Sequence, residues 1–436
     1  MTEIVPFEDL DRALARSRET REPLFLYWGT KWCPPCAEMQ MTVLQRPLFL
    51  ARSANLIATT IDGDAPGAQL CGDRIDSEVY PTMLLLDADE REWVRMPCGL
   101  TEADFCSVID AALRCRSPVR ALADTLIHQS RPLREEELEL LASHYWPQDR
   151  RTYPGTQRLT LLDRLDVATV GAQASFVPRV LVWQLVQRAA YRAIGPTTAE
   201  RQTFYERFQA LLDSQQATFS TLYYILVGLE PVFEYLCDSD AGRRRVLTEL
   251  LLRVLDRLTM QETLTWTERL ISLSAALSLD PSSLAQRTRT LVAKADAATV
   301  SATERQSVMN MAGHVVRQIG LTEESIRLFC TEIERSPWPT YFMPYVAEMY
   351  MEQGAKDEAF RWWLRSYDET SGKTTRFELG VRYIAALVRH APKDRAQIER
   401  TVTRLIAERG EDADMPRGRM RKSLRLLART LGDWKP

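Results

Sequence analysis

The 436-residue sequence predicts an α/β domain over residues 1–118, followed by a large all-α domain over residues 119–436 built as a helical repeat or bundle. Three observations carry this. Short apolar runs bounded by Gly, Pro and Asp punctuate the first 117 residues, the pattern of buried strands. After Ser117-Pro118 these runs stop and helical spacing takes over. The charge changes at the same point: residues 1–118 carry 12 basic and 19 acidic residues, and the remainder carries 44 basic and 40 acidic.

Taken in order, Glu8 to Ser17 has Phe7, Leu10 and Leu14 on one face and reads as a short helix. Pro23 to Gly29 (PLFLYWG) is a continuous apolar run closed by Gly, which reads as a buried strand. Trp32 to Leu50 has helical spacing, with Pro34 and Pro35 near its start and Pro47 near its end. Leu56 to Ile61 is a second strand, closed by the turn Asp62-Gly63-Asp64. Pro81 to Asp87 and Glu92 to Met96 are the third and fourth, near enough to form an antiparallel hairpin across Asp87-Ala88-Asp89. Thr101 is placed to cap a last helix, Glu102 to Leu113, with Asp104 in its first turn. From Val119 to Lys435 the chain reads as successive helices separated at Pro147, Pro154, Gly195-Pro196, Asp280-Pro281, Pro337 and Pro339.

In the last third a self-similarity appears at an offset of 34 residues. Gly313, Val316, Gly320, Ser325, Phe329 and Pro337 align with Ala347, Tyr350, Gly354, Ala359, Trp363 and Ser371. Small, large, Gly, small, aromatic, helix end: this order suits two helices crossing closely at the small residues, with an aromatic in the groove. The spacing resembles tetratricopeptide repeats over two units, about residues 300–371. A third unit does not fit, and residues 119–300 show no repeat.

Composition narrows the function. A net charge of −3 gives no drive toward nucleic acid or a membrane surface. With 18 Gly and 22 Pro the chain is neither disordered nor fibrous. No run of apolar residues is long enough to predict a membrane span. The first ten residues hold Glu3, Glu8 and Asp9 and no apolar core, so no signal peptide is expected. The expected compartment is the cytoplasm, or the periplasm if an export signal has been trimmed away. Arg outnumbers Lys 49 to 7, a bias that reads as codon usage, so Arg clusters alone carry little functional weight.

Eight cysteines lie at 33, 36, 71, 98, 106, 115, 237 and 330, and only Cys33 and Cys36 have a short motif spacing. Trp32-Cys33-Pro34-Pro35-Cys36 follows a strand and opens a helix. Two cysteines at i and i+3 there can form a disulfide without strain. Cys33 is expected at the exposed helix N-terminus, where orphan N–H groups favour a thiolate, with Lys31 nearby. Cys36, one turn further in, is expected to be shielded. One sulfur attacks and the other resolves, the requirement for thiol–disulfide exchange. Structural zinc would need a second ligand pair, and neither another CxxC nor an HxxxH occurs; the four histidines, 128, 144, 314 and 390, are scattered. No cofactor and no metal are expected.

On these residues the region 1–116 resembles a thioredoxin-fold domain. WCPPC at 32–36 follows a strand, Tyr80-Pro81-Thr82 opens a later one in the manner of the family's cis-proline segment, and Gly99 precedes the last helix as the family's groove glycine does. The resemblance implies a cis Pro81 opposite Cys33, with Trp32, Tyr80, Pro81 and Gly99 as substrate-binding positions and Cys33 and Cys36 as the catalytic pair. Two positions depart from the family: its buried acid is Tyr27 here, and its nearby strand lysine is Ala58.

The expected activity is that of a thiol–disulfide oxidoreductase acting on protein disulfides and recycled by an external reductant, with the helical domain recruiting a client or partner protein. The alternative is a redox-linked chaperone or scaffold that binds unfolded or partner proteins with little turnover. Cys98, beside Gly99, reads as a small buried hydrophobe, with a third active thiol as the rival reading. The basic stretch from Arg417 to Arg429 reads as a solvated terminal helix, with an acidic-partner or membrane-surface site as its rival.

Overall fold

A computed structural model describes residues 10–172, 175–191, 197–281, 284–409 and 416–434. The start of the first predicted helix, including Phe7 and Glu8, and the Gly195-Pro196 break lie outside these residues; the described helix runs Leu10–Thr20.

Four strands form one small mixed sheet: β1 (Leu24–Gly29), β2 (Ile57–Asp62), β3 (Thr82–Leu86) and β4 (Glu92–Met96), in the order β2-β1-β3-β4. All six residues of β1 are buried, as an uninterrupted apolar run demands. β3 and β4 pair antiparallel, with Met83 opposite Met96 and Leu85 opposite Val94 and a register shift between Leu85 and Leu86. The predicted turn is built by Asp87, whose Oδ1 accepts from the N–H groups of Asp89 (2.9 Å) and Arg91 (2.8 Å). The last helix of the α/β part, Glu102–Cys115, is capped as expected: Thr101 Oγ1 accepts from the Asp104 N–H at 3.1 Å.

The single helix expected over 32–50 is in fact three pieces. Pro34–Met39 is α-helical, Gln40–Leu44 is a π turn, and Pro47–Ser53 is a new α-helix. Pro47 stands at the first position of that helix rather than at the end of the previous one, the place where its missing N–H costs least. A further short helix, Ala68–Arg74, lies between β2 and β3 and was not anticipated.

From Val119 onward the described residues contain helices and short 3-10 turns but no strand. The 34-residue offset corresponds to two consecutive helical hairpins, Ala302–Gln318 with Thr322–Arg335 and Met343–Glu352 with Lys356–Glu369. Gly320 and Gly354 turn the two hairpins with the same left-handed φ of 79°. At Gly313 the helices approach closely: a Cβ there would run into the Phe329 ring, and Ser325 Oγ donates to the Gly313 carbonyl at 2.8 Å.

The chain packs as two compact units, each assembled from separated segments. One comprises Met1–Tyr27, Met39–Thr60 and Thr82–Ser283; the other comprises Trp28–Glu38, Ile61–Pro81 and Leu284–Pro436. Strand signals end near residue 118, but neither unit does. The first unit is centred in its α/β part on Phe25, Phe49 and Phe105, whose rings meet at 5.4–6.2 Å. Its helical part holds buried charge with partners: Arg179 reaches Asp104 (2.6 Å) and Ser143 (2.8 Å), and His144 contacts Asp149 at 2.9 Å. The second unit joins the CPPC segment and residues 61–81 to the C-terminal helices.

Candidate active site

β1 ends at Gly29, and the chain turns through Thr30 and Lys31 into the motif. The Cys33 N–H donates to the Thr30 carbonyl at 3.4 Å, and the Cys33 carbonyl accepts from Ala37 N–H at 3.0 Å. Cys33 therefore caps the short helix Pro34–Met39, whose first two residues are prolines without N–H groups. Cys36 stands one turn in, on the neighbouring helical position.

Both cysteines are buried, Cys33 at 4% exposure and Cys36 at 2%. The expectation of an exposed Cys33 is thus corrected. The helix start is where the motif placed it, but residues from the far end of the chain stand over it. A cavity of about 230 Å³ has Trp32, Cys33, Pro34 and Pro35 on one side, Tyr80 beside them, and Tyr341, Pro344, Tyr345, Glu378, Arg382 and Arg419 among its other walls.

Trp32 is fixed on three sides. Its indole Nε1 donates to Asp64 Oδ2 at 2.8 Å, its ring stacks on Tyr341 (5.8 Å, 27°), and its carbonyl accepts from Gln306 Nε2 at 2.7 Å. Asp64 also accepts from the Thr375 N–H (2.9 Å) and from Thr375 Oγ1 (2.7 Å). One carboxylate from the turn after β2 therefore ties the motif tryptophan to the helix Lys373–His390.

The Tyr80–Pro81 peptide bond is cis, as the resemblance implies. The Tyr80 ring lies edge-on to Trp28 (4.6 Å) and Trp32 (6.2 Å), and its hydroxyl accepts from Gln69 Nε2 at 2.9 Å. The Arg419 guanidinium sits 4.3 Å from its centroid. Arg419 is clamped by both oxygens of Glu378, each at 2.7 Å. Burial works against the Arg419 charge, yet Glu378, with smaller help from Tyr80 and Cys33, holds its pKa above the ordinary value. Tyr341 and Tyr345 share a hydroxyl–hydroxyl bond of 2.9 Å. Burial pushes both phenols up, and each lies close enough to feel the charge of Cys33.

The basic terminal stretch, expected to be solvated, forms the helix Gly418–Gly432 and is engaged by its own chain. The Gly418 N–H donates to Asp73 at 2.8 Å, the Arg419 N–H donates to Gln69 Oε1 at 2.8 Å, Arg421 pairs with Asp73, and Arg425 reaches Glu78 at 2.5 Å. The acidic partner is the segment between β2 and the cis proline.

Gly99 belongs to the other compact unit. It takes the left-handed φ of 76°, and a Cβ there would lie 2.6 Å from the Tyr223 ring. Cys98 is half-buried within electrostatic reach of Tyr145. Tyr27 and Ala58, at the departures from the family pattern, are buried at 3% and 4%. Burial makes several of the remaining thiols poor nucleophiles: Cys71 is pushed up to about 12, Cys106 and Cys237 to about 11. Among the described residues no group of three or more His, Cys, Asp or Glu side chains is gathered to hold a metal. None of their helices is long and apolar enough to cross a membrane.

Sequence reasoning missed Asp64, Gln306, Tyr341, Thr375, Glu378, Arg382 and Arg419. The signals available were the turn Asp62-Gly63-Asp64 and the basic terminal stretch, and neither says what it will face.

A four-stranded α/β segment with a CxxC pair at a helix start and a cis proline before the third strand defines a thioredoxin-like N-terminal part, which is followed by a large all-helical region. The family comparison agrees: residues 5–88 match the thioredoxin-like family model. Comparison with curated proteins and with solved structures gave no match.

Proposed function

We propose that this protein is a thiol–disulfide oxidoreductase. Cys33 attacks a substrate disulfide, Cys36 resolves the mixed disulfide, and Trp32, Tyr80 and Pro81 shape the approach, with Gly99 retained as a substrate-binding position on the family resemblance. The observation that carries this reading is the CPPC pair at a helix start beside a cis Tyr80–Pro81 bond, with Cys33 opening into a cavity. Arg382 and the Tyr341–Tyr345 hydroxyl pair supply positive charge and a hydrogen-bond donor in the cavity that Cys33 lines, a setting that favours a thiolate.

An external thiol reductant recycles the dithiol, which suits a reducing cytoplasm. In this reading the two tetratricopeptide-like hairpins, over 302–335 and 343–369, receive a partner or client protein. The second reading, a redox-linked chaperone or scaffold with little turnover, is favoured by the 4% exposure of Cys33, which slows access for a bulky disulfide.

The test is trapping in the full chain. Cys36→Ser, treated with an aromatic disulfide, should accumulate a mixed disulfide at Cys33, while Cys33→Ser should accumulate none at Cys36. Trapping at Cys36 in preference to Cys33 would reverse the roles. Multiple turnovers with a reductant present separate the enzyme from the scaffold.

A further inference from the structure

The walls over Cys33 restrict what the dithiol can meet, an inference that rests on the oxidoreductase reading. The first restriction is size. A cavity of about 230 Å³ falls below the roughly 300–1,000 Å³ of sites that enclose drug-sized ligands. The second is that residues 69–80, where a client strand would lie beside Tyr80, already carry this chain's own terminal helix through Gln69, Asp73, Glu78 and the Tyr80 ring. The third is charge. Glu378 and Arg419 neutralise each other through two bonds of 2.7 Å. Arg382 lines the same cavity, is exposed, and makes no ion pair or hydrogen bond among the described residues. Glu348 lies within electrostatic range of it without a direct bond, and stands 3.8 Å from Arg317, which itself pairs with Glu352. The cavity thus combines a nucleophilic sulfur, two phenol hydroxyls and one cation with no direct partner among the described residues.

We propose that the substrate is a low-molecular-weight disulfide bearing carboxylates, and that Arg382 receives a carboxylate while Cys33 meets the disulfide. The Cys33 thiolate attacks one substrate sulfur, forming a Cys33–substrate disulfide and releasing the first substrate thiolate. The Cys36 thiolate then attacks Cys33 Sγ, forming the Cys33–Cys36 disulfide and releasing the second. Two electrons pass from the protein dithiol to the substrate, the dithiol's two protons end on the released thiols or in solvent, and an external dithiol restores the reduced pair.

The test uses the full chain, pre-reduced, mixed with the disulfide of mercaptopropionate (an anion at each end), the disulfide of mercaptoethanol (neutral), or insulin. Formation of the Cys33–Cys36 disulfide is read by acid quench, alkylation and mass spectrometry. Each small-disulfide rate is divided by that of dithiothreitol with the same disulfide, which removes intrinsic reactivity. The normalised rate should favour the anionic disulfide by about tenfold or more, the worth of one charge-assisted hydrogen bond, and the preference should shrink as salt rises. Arg382→Ala should abolish the preference and Arg382→Lys should keep part of it; because the side chain is exposed, neither change should disturb folding. Equal normalised rates for the two small disulfides, or insulin outpacing both, would overturn this inference and leave the oxidoreductase reading standing. Failure of all three to oxidise the pair would remove both.

Discussion

Replacing Asp64 by Ala takes the acceptor away from three donors at once: the Trp32 indole N–H, the Thr375 N–H and the Thr375 hydroxyl. Thr375 is buried at 8% exposure, whereas Trp32 is half-buried and its indole can turn to water. Hydrogen bonds to a charged group are worth about 1.5–3 kcal/mol each, so with a discount for the wetter donor the loss is about 2–4 kcal/mol. That loss falls on the tie between the motif tryptophan and the helix Lys373–His390, and hence on the opening of the wall over Cys33. At 1.4 kcal/mol per decade, opening should become at least roughly thirtyfold more frequent. The assay is labelling of Cys33 in the native full chain by a polymer-conjugated maleimide, far too large for the closed cavity, quantified on the Cys33 peptide. Asp64→Asn removes the same charge but keeps an acceptor oxygen, so it separates hydrogen bonding from any electrostatic effect on the thiol and should fall between the wild type and Asp64→Ala. Labelling of Asp64→Ala within about threefold of wild type would refute the idea that Asp64 holds the site closed.

Gly313→Ala gains about 1 kcal/mol of helix propensity but drives a methyl into the buried Phe329 ring, itself packed on His314, Phe342 and Tyr345; overpacking of about 1–3 kcal/mol should win, and urea unfolding should show net destabilisation. Arg419→Met leaves the largely covered Glu378 without its partner and should cost about 2–3 kcal/mol, less than for a fully buried charge, whereas Arg419→Met with Glu378→Met should recover most of it; a double variant no better than the single would contradict the pairing. Glu137, held by Arg131 and Arg134, has its carboxyl lowered from 4.5 to about 2. Its folded pKa lies below the unfolded one, so its stabilisation is present above 4.5 and is lost as pH falls through about 2. Glu137→Gln should therefore be less stable by about 2 kcal/mol at neutral pH, with the gap closing between those values in urea titrations.

The fold class was legible because its signals are local. β1 is one apolar run, the β3–β4 hairpin is short and its turn is rich in Asp, and Thr101 announces the helix it caps. The three-part structure over 34–53 was not, since a π turn keeps helical spacing and Pro47 reads equally as a stop or a start. At the site, the cysteine pair and Tyr80-Pro81 are local motifs, and Tyr80 lines the same cavity as Cys33. The lid over them is not local. Asp64 meets Thr375 across 311 residues and Arg419 meets Gln69 across 350, and such pairs leave no periodicity in the sequence. The burial of Cys33 follows from those contacts, which is why a local reading of the helix start left it exposed. From sequence alone the basic terminal stretch reads as a solvated helix. Three of its arginines proved specific: Arg419 through Glu378 and Tyr80, Arg421 through Asp73, and Arg425 through Glu78.

The central claim is that Cys33 and Cys36 form one two-electron couple. It is tested most directly by equilibrating the full chain in graded mixtures of reduced and oxidised dithiothreitol, quenching with acid, alkylating, and weighing the peptide that contains residues 33–36. The account predicts a single transition in which both cysteines lose alkylation together and the unalkylated peptide is lighter by two hydrogens, while Cys71, Cys106 and Cys237 stay alkylatable throughout. Cys33 and Cys36 remaining alkylatable at the most oxidising mixture, or either one pairing with a different cysteine, would contradict it.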